Sequence, residues 1–216
     1  MRVMAKHLPA TRPSRQKGVG LIDVMIAVVV FSVGMLALAT LQTVNKQSNY
    51  EAIQRSSAAL LSHDLMERMR MNSLKEAGSI YKSSLGYYVP SSVVELSYND
   101  TLTAPSTNCN SAACTSAELA AWDLYEFQLM LRGANETASG RDVGGLFNPT
   151  ACLSTSTSGG RPGQYTVTIV WRGQVKLENQ SASACGNGNY GANNEYRRIF
   201  QVTSHMNCPE PGGCET

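Results

Sequence analysis

One long apolar run dominates the start of the chain. Residues 19–41 read VGLIDVMIAVVVFSVGMLALATL, and Asp23 is the only ionisable residue among them. About 20 such residues are enough to cross the hydrocarbon core of a bilayer as an α-helix. The pattern therefore predicts a membrane span. Because basic residues precede the run, we expect the residues before it to stay in the cytoplasm and the C-terminal part to be exported.

The polar stretch that follows the span keeps a helical pattern. No Pro or Gly occurs between Leu41 and Asn72, so one helix can run from Val19 to about Asn72. Apolar side chains at near-helical spacing predict a stripe that packs on a domain: Ile53, Leu60, Leu61, Leu65 and Met69.

Charged residues four apart predict ion pairs on the opposite face of this helix. The pairs are Glu51 with Arg55 and Asp64 with Arg68. We therefore expect one face of the helix to be covered by the domain and the other to face water.

After Lys75 the apolar runs become short and lie between Gly, Ser, Asn and Pro clusters, which is typical of strands and loops. A weak strand is predicted over Tyr87 to Leu96. Thr115 and Glu118 have the spacing of a capping box and predict a short helix that ends near Gly133.

The region from Tyr165 to Trp171 alternates apolar or aromatic residues with Thr and gives the clearest strand prediction. A turn at Arg172-Gly173 would lead into a partner strand at Gln174 to Glu178, and Tyr196 to Thr203 would add another antiparallel strand. The Ser-, Gly- and Asn-rich stretches Ser154–Gly160 and Ser181–Asn194 are interpreted as loops that cover the solvent side of the sheet with variable or mobile surface. Together these elements predict an α+β fold, an α/β-roll in outline, with a long N-terminal helix packed on an antiparallel sheet.

The charge of the chain is concentrated at its N-terminus. The first 18 residues hold five basic residues and no acidic ones: Arg2, Lys6, Arg12, Arg15 and Lys17. The remaining residues have 13 basic against 16 acidic side chains, a net charge of −3. The apparent basicity thus belongs to a leader, and a nucleic-acid-binding surface on the folded part is not supported.

Six cysteines lie in the C-terminal part: Cys109, Cys114, Cys152, Cys185, Cys208 and Cys214. An even number in an exported, loop-rich domain indicates disulfides. Short spacing and intervening turn residues favour Cys109–Cys114 and Cys208–Cys214, which leaves Cys152–Cys185, although six cysteines allow 15 connectivities. A zinc site is the alternative, but no CxxC pair occurs and the histidines do not lie at zinc-finger spacing, so we expect no metal.

The start of the span distinguishes three kinds of N-terminal segment. A secretory signal would be cut after the apolar run at a small-residue site, for which Ala37 and Ala39 are only a loose match. A plain anchor would leave Asp23 as a costly carboxylate without a role. The third kind is carried by residues 17–24, KGVGLIDV, which resemble the prepilin (class III) signal.

In the prepilin family a peptidase at the cytoplasmic membrane face cuts after the glycine, keeps the apolar helix and methylates the new amine. The resemblance implies that Gly18 precedes the cleaved bond and that Val19 becomes the mature N-terminus. Glycine suits this position because it lets an extended backbone approach a protease closely.

Asp23 stands where this family normally has glutamate at the fifth mature position, so the charge is kept on a shorter side chain. The resemblance implies that Asp23 pairs with the Val19 amine of a neighbouring subunit, because a carboxylate in hydrocarbon needs a counter-charge. The alternative is that Asp23 only reaches toward the head-group region.

The resemblance is closest to the PilV class of minor pilins, also called type IV pilus modification proteins. It is carried by GLIDVMIAVVVFSVGMLALATLQ at the start, by CTSAELAAWDL from Cys114 and by YTVTIVWR from Tyr165. It implies a leader over 1–18, a transmembrane and filament-core half-helix over 19–43, and a globular head over 44–216. It also implies insertion in the inner membrane with a periplasmic head, and later a place in the pilus at the cell surface.

The function implied is that of a minor pilin in pilus priming and assembly, adhesion or motility. Its expected partners are the prepilin peptidase, other minor and major pilins and the inner membrane. A pseudopilin of a type II secretion system and a monomeric membrane-anchored binding protein are the alternatives. No GxSxG, HExxH, P-loop or paired-carboxylate motif occurs, and the glycine-rich residues 140–145 lack a Lys-Ser/Thr ending, so we expect neither an enzyme nor a cofactor.

Overall fold

The computed structural model describes residues 18, 20–73, 83–157, 160–178 and 182–207. Its elements in chain order are the helices and strands α1 (Leu21–Met71), α2 (Leu85–Tyr88), β1 (Val93–Ser97), α3 (Ser116–Arg132), β2 (Thr137–Ala138), β3 (Arg141–Asp142), β4 (Thr150–Thr155), β5 (Gly163–Arg172) and β6 (Arg197–Met206). The chain divides into two compact units, one that ends at Lys46 and one that begins at Gln47.

The long helix was predicted correctly. α1 is a single helix of 51 residues, and its end at Met71 agrees with the predicted end near Asn72. Val19, where the helix was predicted to begin, lies outside the described residues.

The second unit contains a four-stranded antiparallel sheet in the order β1-β4-β5-β6. Cys152 of β4 lies opposite Thr168 of β5, and Thr168 lies opposite Gln201 of β6. With the long helix, this sheet confirms the predicted α+β class.

Alternate residues of the central strands point into two different cores, as strand geometry requires. Odd-numbered residues of β4 and β5, such as Leu153, Val167 and Ile169, belong to a large core shared with α1, α2 and α3. Cys152 and Val170 lie on the opposite face, in a smaller core. The central strands are therefore covered on both faces around Cys152 and Val170, whereas Gln201 and Thr203 of β6 are exposed on the second face.

The face of α1 that enters the large core differs in part from the predicted stripe. Leu65 and Met69 are buried and Leu61 is partly buried, but Ile53 and Leu60 are 52% and 71% exposed. The buried residues follow helical steps of three, four or one: Gln54, Ala58, Ser62, Leu65, Met66 and Met69. Leu60 is two residues after Ala58, about 200° around the helix, so it faces solvent.

The predicted strand at Gln174–Glu178 is wrong. β5 pairs with β4 on one edge and with β6 on the other, so neither edge can accept another strand. The segment instead lies beside the start of β6, where the Leu177 N–H donates to the Glu195 carbonyl at 2.7 Å. The β6 strand itself was predicted, as Tyr196 to Thr203, and β5 contains the predicted Tyr165 to Trp171.

Strand β4 was not predicted, and part of it was interpreted as loop. Its sequence TACLST contains small polar residues, and four of its six residues are buried because both faces of the sheet are covered. A strand buried on both faces lacks the alternation that identifies a half-exposed strand.

The predicted strand from Tyr87 to Leu96 is confirmed only in its second part. Tyr88 is in the helical turn α2, and β1 begins at Val93. Pro90 precedes the strand, and proline has no N–H to give to a ladder.

The capping box is present as predicted: the Thr115 side chain accepts from the Glu118 N–H, and Glu118 accepts from the Thr115 N–H. α3 ends before Gly133, which has a φ of 69°, in agreement with the predicted end. Residues 137–142 after it form the β2–β3 hairpin, with Ser139 and Gly140 at positive φ in the turn.

Candidate assembly site

The first half of α1 is an apolar surface without a covering. Every residue from Leu21 to Asn49 is exposed, including all its large Val, Leu, Ile, Met and Phe side chains. By length and composition this helix can cross a membrane. In water such a surface is unfavourable, so it indicates a lipid or protein environment.

The polar side chains within the apolar run satisfy their hydroxyls locally. Ser32 donates to the Val28 carbonyl at 2.7 Å, and Thr40 donates to the Ala37 carbonyl at 2.8 Å. Each hydroxyl is bonded to a carbonyl of the helix itself, and this hydrogen bond lowers the free-energy cost of burying the hydroxyl in hydrocarbon.

Asp23 lies in the first turn of α1. Its Oδ2 accepts a hydrogen bond from the Gly20 N–H at 3.1 Å, so the carboxylate caps the N-terminal end of the helix. Its negative charge also interacts favourably with the helix dipole there. Among the described residues Asp23 Oδ1 accepts no hydrogen bond, which leaves one oxygen free to pair with an external cation.

The two residues assigned to processing lie just before this turn. Gly18 is exposed and outside the helix, and a Cβ added to it would meet no atom within 4 Å. Val19 is outside the described residues. The structure thus places Asp23 next to Gly20 of the same chain. It does not describe Val19, whose amine in a neighbouring subunit is the expected partner of Asp23.

In the second unit, Gln54 of α1 binds the backbone of the segment between α3 and β4. Its Nε2 donates to the Gly145 carbonyl at 3.4 Å, and its Oε1 accepts from the Phe147 N–H at 3.0 Å. The segment lies so close to the end of α3 that a Cβ added to Gly133 would be only 2.0 Å from the Gly145 nitrogen. Gln54 is buried but polar, so the apolar pattern did not reveal it.

The predicted ion pair between Glu51 and Arg55 is wrong. Glu51 instead pairs with Arg198 of β6, with 3.3 Å between Oε2 and Nε, and accepts from the Gln174 N–H at 2.9 Å. Arg55 is exposed. Glu51 lies one turn before the buried Gln54, on the side of α1 that meets the domain.

The predicted pair of Asp64 and Arg68 is present at 2.9 Å and belongs to a larger charged cluster. Arg68 Nη1 also lies 3.1 Å from Asp123 and 2.8 Å from Glu126, which joins α1 to α3. Burial alone would lower the pKa of Arg68, but its hydrogen bonds to Glu126 and Asp123 raise it. Burial and a hydrogen bond to Asp123 likewise raise the pKa of Tyr88 in α2.

Two disulfides agree with the predicted pairing, one favoured by short spacing and one left by elimination. Cys109 is bonded to Cys114, and Cys152 is bonded to Cys185. Cys208 and Cys214 lie outside the described residues. Across the described ranges, no group of three or more His, Cys, Asp and Glu side chains is arranged to hold a metal ion.

The Ser-, Gly- and Asn-rich loop before β6 covers the second face of the sheet, as predicted, but through buried anchors. Tyr190 is fully buried, its hydroxyl donates to the Asn148 carbonyl at 2.9 Å, and burial raises its pKa to about 12. Arg197 Nη1 donates to the Ser183 carbonyl at 2.8 Å. With the bond between Cys152 and Cys185, these contacts fix the loop to the sheet.

Residues 40–125 match a type IV pilin family model. The family is Tt1218-like, described as type IV pilin Tt1218. No curated protein and no solved structure matches the chain.

The match covers less than half of the chain. It begins near the end of the apolar run and includes the second half of α1, α2, β1 and α3 as far as Tyr125. It omits residues 17–24 and strands β4 to β6. The likeness to type IV pilins therefore comes from a part of the sequence that is independent of the signal-like segment.

Proposed function

We propose that this chain is a minor pilin of a type IV pilus, of the PilV class, that acts in pilus priming and assembly and modulates adhesion or motility. The observation that carries the proposal is Asp23, a carboxylate in the first turn of α1, whose first half is apolar and exposed. The pilin-like stretch 40–125 supports it independently. As a structural subunit the protein is expected to have no catalytic activity and no cofactor.

In this proposal the prepilin peptidase removes residues 1–18 as a leader and methylates the Val19 amine. Residues 19–43 span the inner membrane before assembly and pack with other minor and major pilins afterwards. The head, 44–216, folds in the periplasm and is carried to the cell surface. Within the filament, Asp23 pairs with the Val19 amine of a neighbouring subunit, since opposite charges offset each other's cost in an apolar environment.

The cleavage step is tested by N-terminal mass spectrometry of the wild type and of Gly18→Val. We expect the wild type to begin at a methylated Val19 in cells with an active prepilin peptidase and to keep its leader in cells without one. Gly18→Val should stay uncleaved. Because a Cβ at position 18 meets no neighbouring atom, loss of cleavage would report recognition by the peptidase and not misfolding. A mature chain that starts near Ala39 would refute the proposal.

The assembly step is tested with Asp23→Ala, with Asp23→Glu as the matched control. The alanine variant should be cleaved and inserted in the membrane but nearly absent from sheared pilus fractions, because the apolar run is intact and the charge pair is lost. The glutamate variant keeps the charge and should be incorporated. Normal incorporation of Asp23→Ala would show that Asp23 has no role in assembly.

A further inference from the structure

The chain contains a single Asn-Gly dipeptide, Asn187-Gly188, in the loop that covers the second face of the sheet. Both residues are exposed, and Gly188 has a φ of 85°. Asn-Gly is chemically the most labile asparagine context, because glycine has no side chain to hinder attack by its own backbone nitrogen on the asparagine amide. This dipeptide is therefore the asparagine position of the chain with the least steric protection against deamidation.

The side chain of Asn194 holds both reacting groups of this dipeptide. Its Oδ1 accepts from the Gly188 N–H at 2.8 Å, and its Nδ2 donates to Asn187 Oδ1. A backbone N–H can only donate, so this contact fixes which end of the Asn194 amide faces Gly188 and which faces Asn187. Asn194 is 8% exposed and adopts a φ of 55°, a conformation that asparagine tolerates better than most residues.

The reaction would proceed in two balanced steps. The Gly188 nitrogen loses its proton to solvent and bonds to Asn187 Cγ, the bond between Cγ and Nδ2 breaks, and ammonia leaves with a proton taken from solvent. Water then opens the resulting succinimide to aspartate or isoaspartate, which adds one negative charge.

We propose that Asn194 is a positioning residue that protects Asn187-Gly188 from deamidation. If the Gly188 nitrogen lost its proton, the anion would face the lone pairs of Asn194 Oδ1, which repel it. The carboxamide of Asn187 must also leave Asn194 Nδ2 before its Cγ can turn toward the nitrogen. Both hydrogen bonds therefore break before the ring closes, and the loop that carries Cys185 and Tyr190 keeps its charge.

The experiment is site-specific peptide mapping of aspartate and isoaspartate at position 187, using the full-length disulfide-bonded protein in detergent at neutral pH. The first comparison needs no variant: native wild type should deamidate far more slowly than the same chain reduced and unfolded in urea. Equal rates in the two states would overturn the proposal.

Three variants then separate protection by Asn194 from general loop stability. Asn194→Ala removes both hydrogen bonds and should speed the reaction by about tenfold or more, the effect of losing one to two hydrogen bonds. Asn194→Asp keeps an acceptor for the Gly188 N–H but loses the donor to Asn187 Oδ1, so its rate should lie between those of the wild type and Asn194→Ala. Tyr190→Phe removes a different anchor of the same loop and should leave the rate at Asn187 unchanged.

Three results would overturn the inference: no acceleration in Asn194→Ala, an Asn194→Asp rate as fast as that of alanine, or a Tyr190→Phe rate as fast as that of Asn194→Ala. The third would mean that opening of the loop, and not the two hydrogen bonds, limits the reaction.

Discussion

Two residues of the same type in α1 should respond very differently to the same substitution. Leu65 and Leu60 are both leucines of one amphipathic stretch, yet Leu65 is fully buried and Leu60 is 71% exposed. Five residues of an α-helix separate two side chains by about 140° around the helix axis. Leu65 therefore lies in the core with Met66 and Met69, whereas Leu60 faces solvent.

We predict that Leu65→Asp lowers the free energy of unfolding by about 3–5 kcal/mol, because it removes buried apolar surface and buries an unpaired carboxylate. Leu60→Asp is the matched control and should change stability by less than about 0.5 kcal/mol. Denaturant unfolding of the full chain in detergent measures both. Similar midpoints for the two variants would contradict the placement of α1 on the sheet.

The charged cluster around Arg68 predicts a dependence on pH. Burial would raise the pKa of Glu126, but hydrogen bonds from Asn110 and Arg68 lower it below the ordinary value of 4.5. Since the folded-state pKa lies below the unfolded-state pKa, the stabilisation is complete above pH 4.5 and is lost as the pH falls through the folded-state pKa.

Glu126→Gln should therefore lower the melting temperature at neutral pH, and its difference from wild type should shrink at acid pH. Glu67→Gln removes an exposed pair with Arg70 and is the control, expected to have little effect at either pH. A difference that is constant between neutral and acid pH would show that the charge of Glu126 does not contribute.

At the scale of elements, the sequence predicted structure that depends on local signals better than structure that depends on pairing within the sheet. α3 was predicted in type and in both ends because its capping box and its C-terminal glycine act within a few residues. β4 was missed and Gln174–Glu178 was wrongly predicted as a strand, because both depend on which edge of β5 is occupied.

We predict that Thr115→Ala destabilises the protein by about 1 kcal/mol, since the Glu118 N–H loses its side-chain acceptor at the start of α3. Ser116→Ala, one position later, is the control because the Thr115 hydroxyl and not that of Ser116 makes the cap. Thermal unfolding and helical circular dichroism measure both variants. Equal losses in the two would mean that the cap contributes nothing specific.

At the scale of the whole molecule, the two disulfides close loops of different length. Cys152 and Cys185 are 33 residues apart and join the sheet to its covering loop, whereas Cys109 and Cys114 are 5 apart. In the chain-entropy account a cross-link stabilises by restricting the unfolded chain, and more so for a longer loop.

Replacing both Cys152 and Cys185 by serine should therefore cost about 3–4 kcal/mol, and replacing both Cys109 and Cys114 about 2 kcal/mol. Each double variant is the control for the other. The denaturant midpoints of the full chain show which variant loses more stability. A larger loss from the Cys109 and Cys114 pair would contradict the ranking by loop length.

The sequence by itself determined the features that depend on neighbouring residues. The apolar run with Asp23, the continuation of α1 to Met71, the limits of α3 and strands β5 and β6 all follow from periodicity, caps and turn residues. The pair Cys109–Cys114 agrees with its short spacing and Cys152–Cys185 with the pairing left by elimination, although spacing alone left other pairings open.

Only the tertiary structure decided which partners distant residues take. Glu51 binds Arg198 and not Arg55, Gln54 binds the backbone near Gly145, and Asn194 binds Asn187 and Gly188. These contacts depend on where separate segments meet. The periodicity of the sequence does not show which distant residue a polar side chain will contact. The physical reason is that helices and turns form from local interactions, whereas edges, buried polar contacts and covered faces exist only once the segments have packed together.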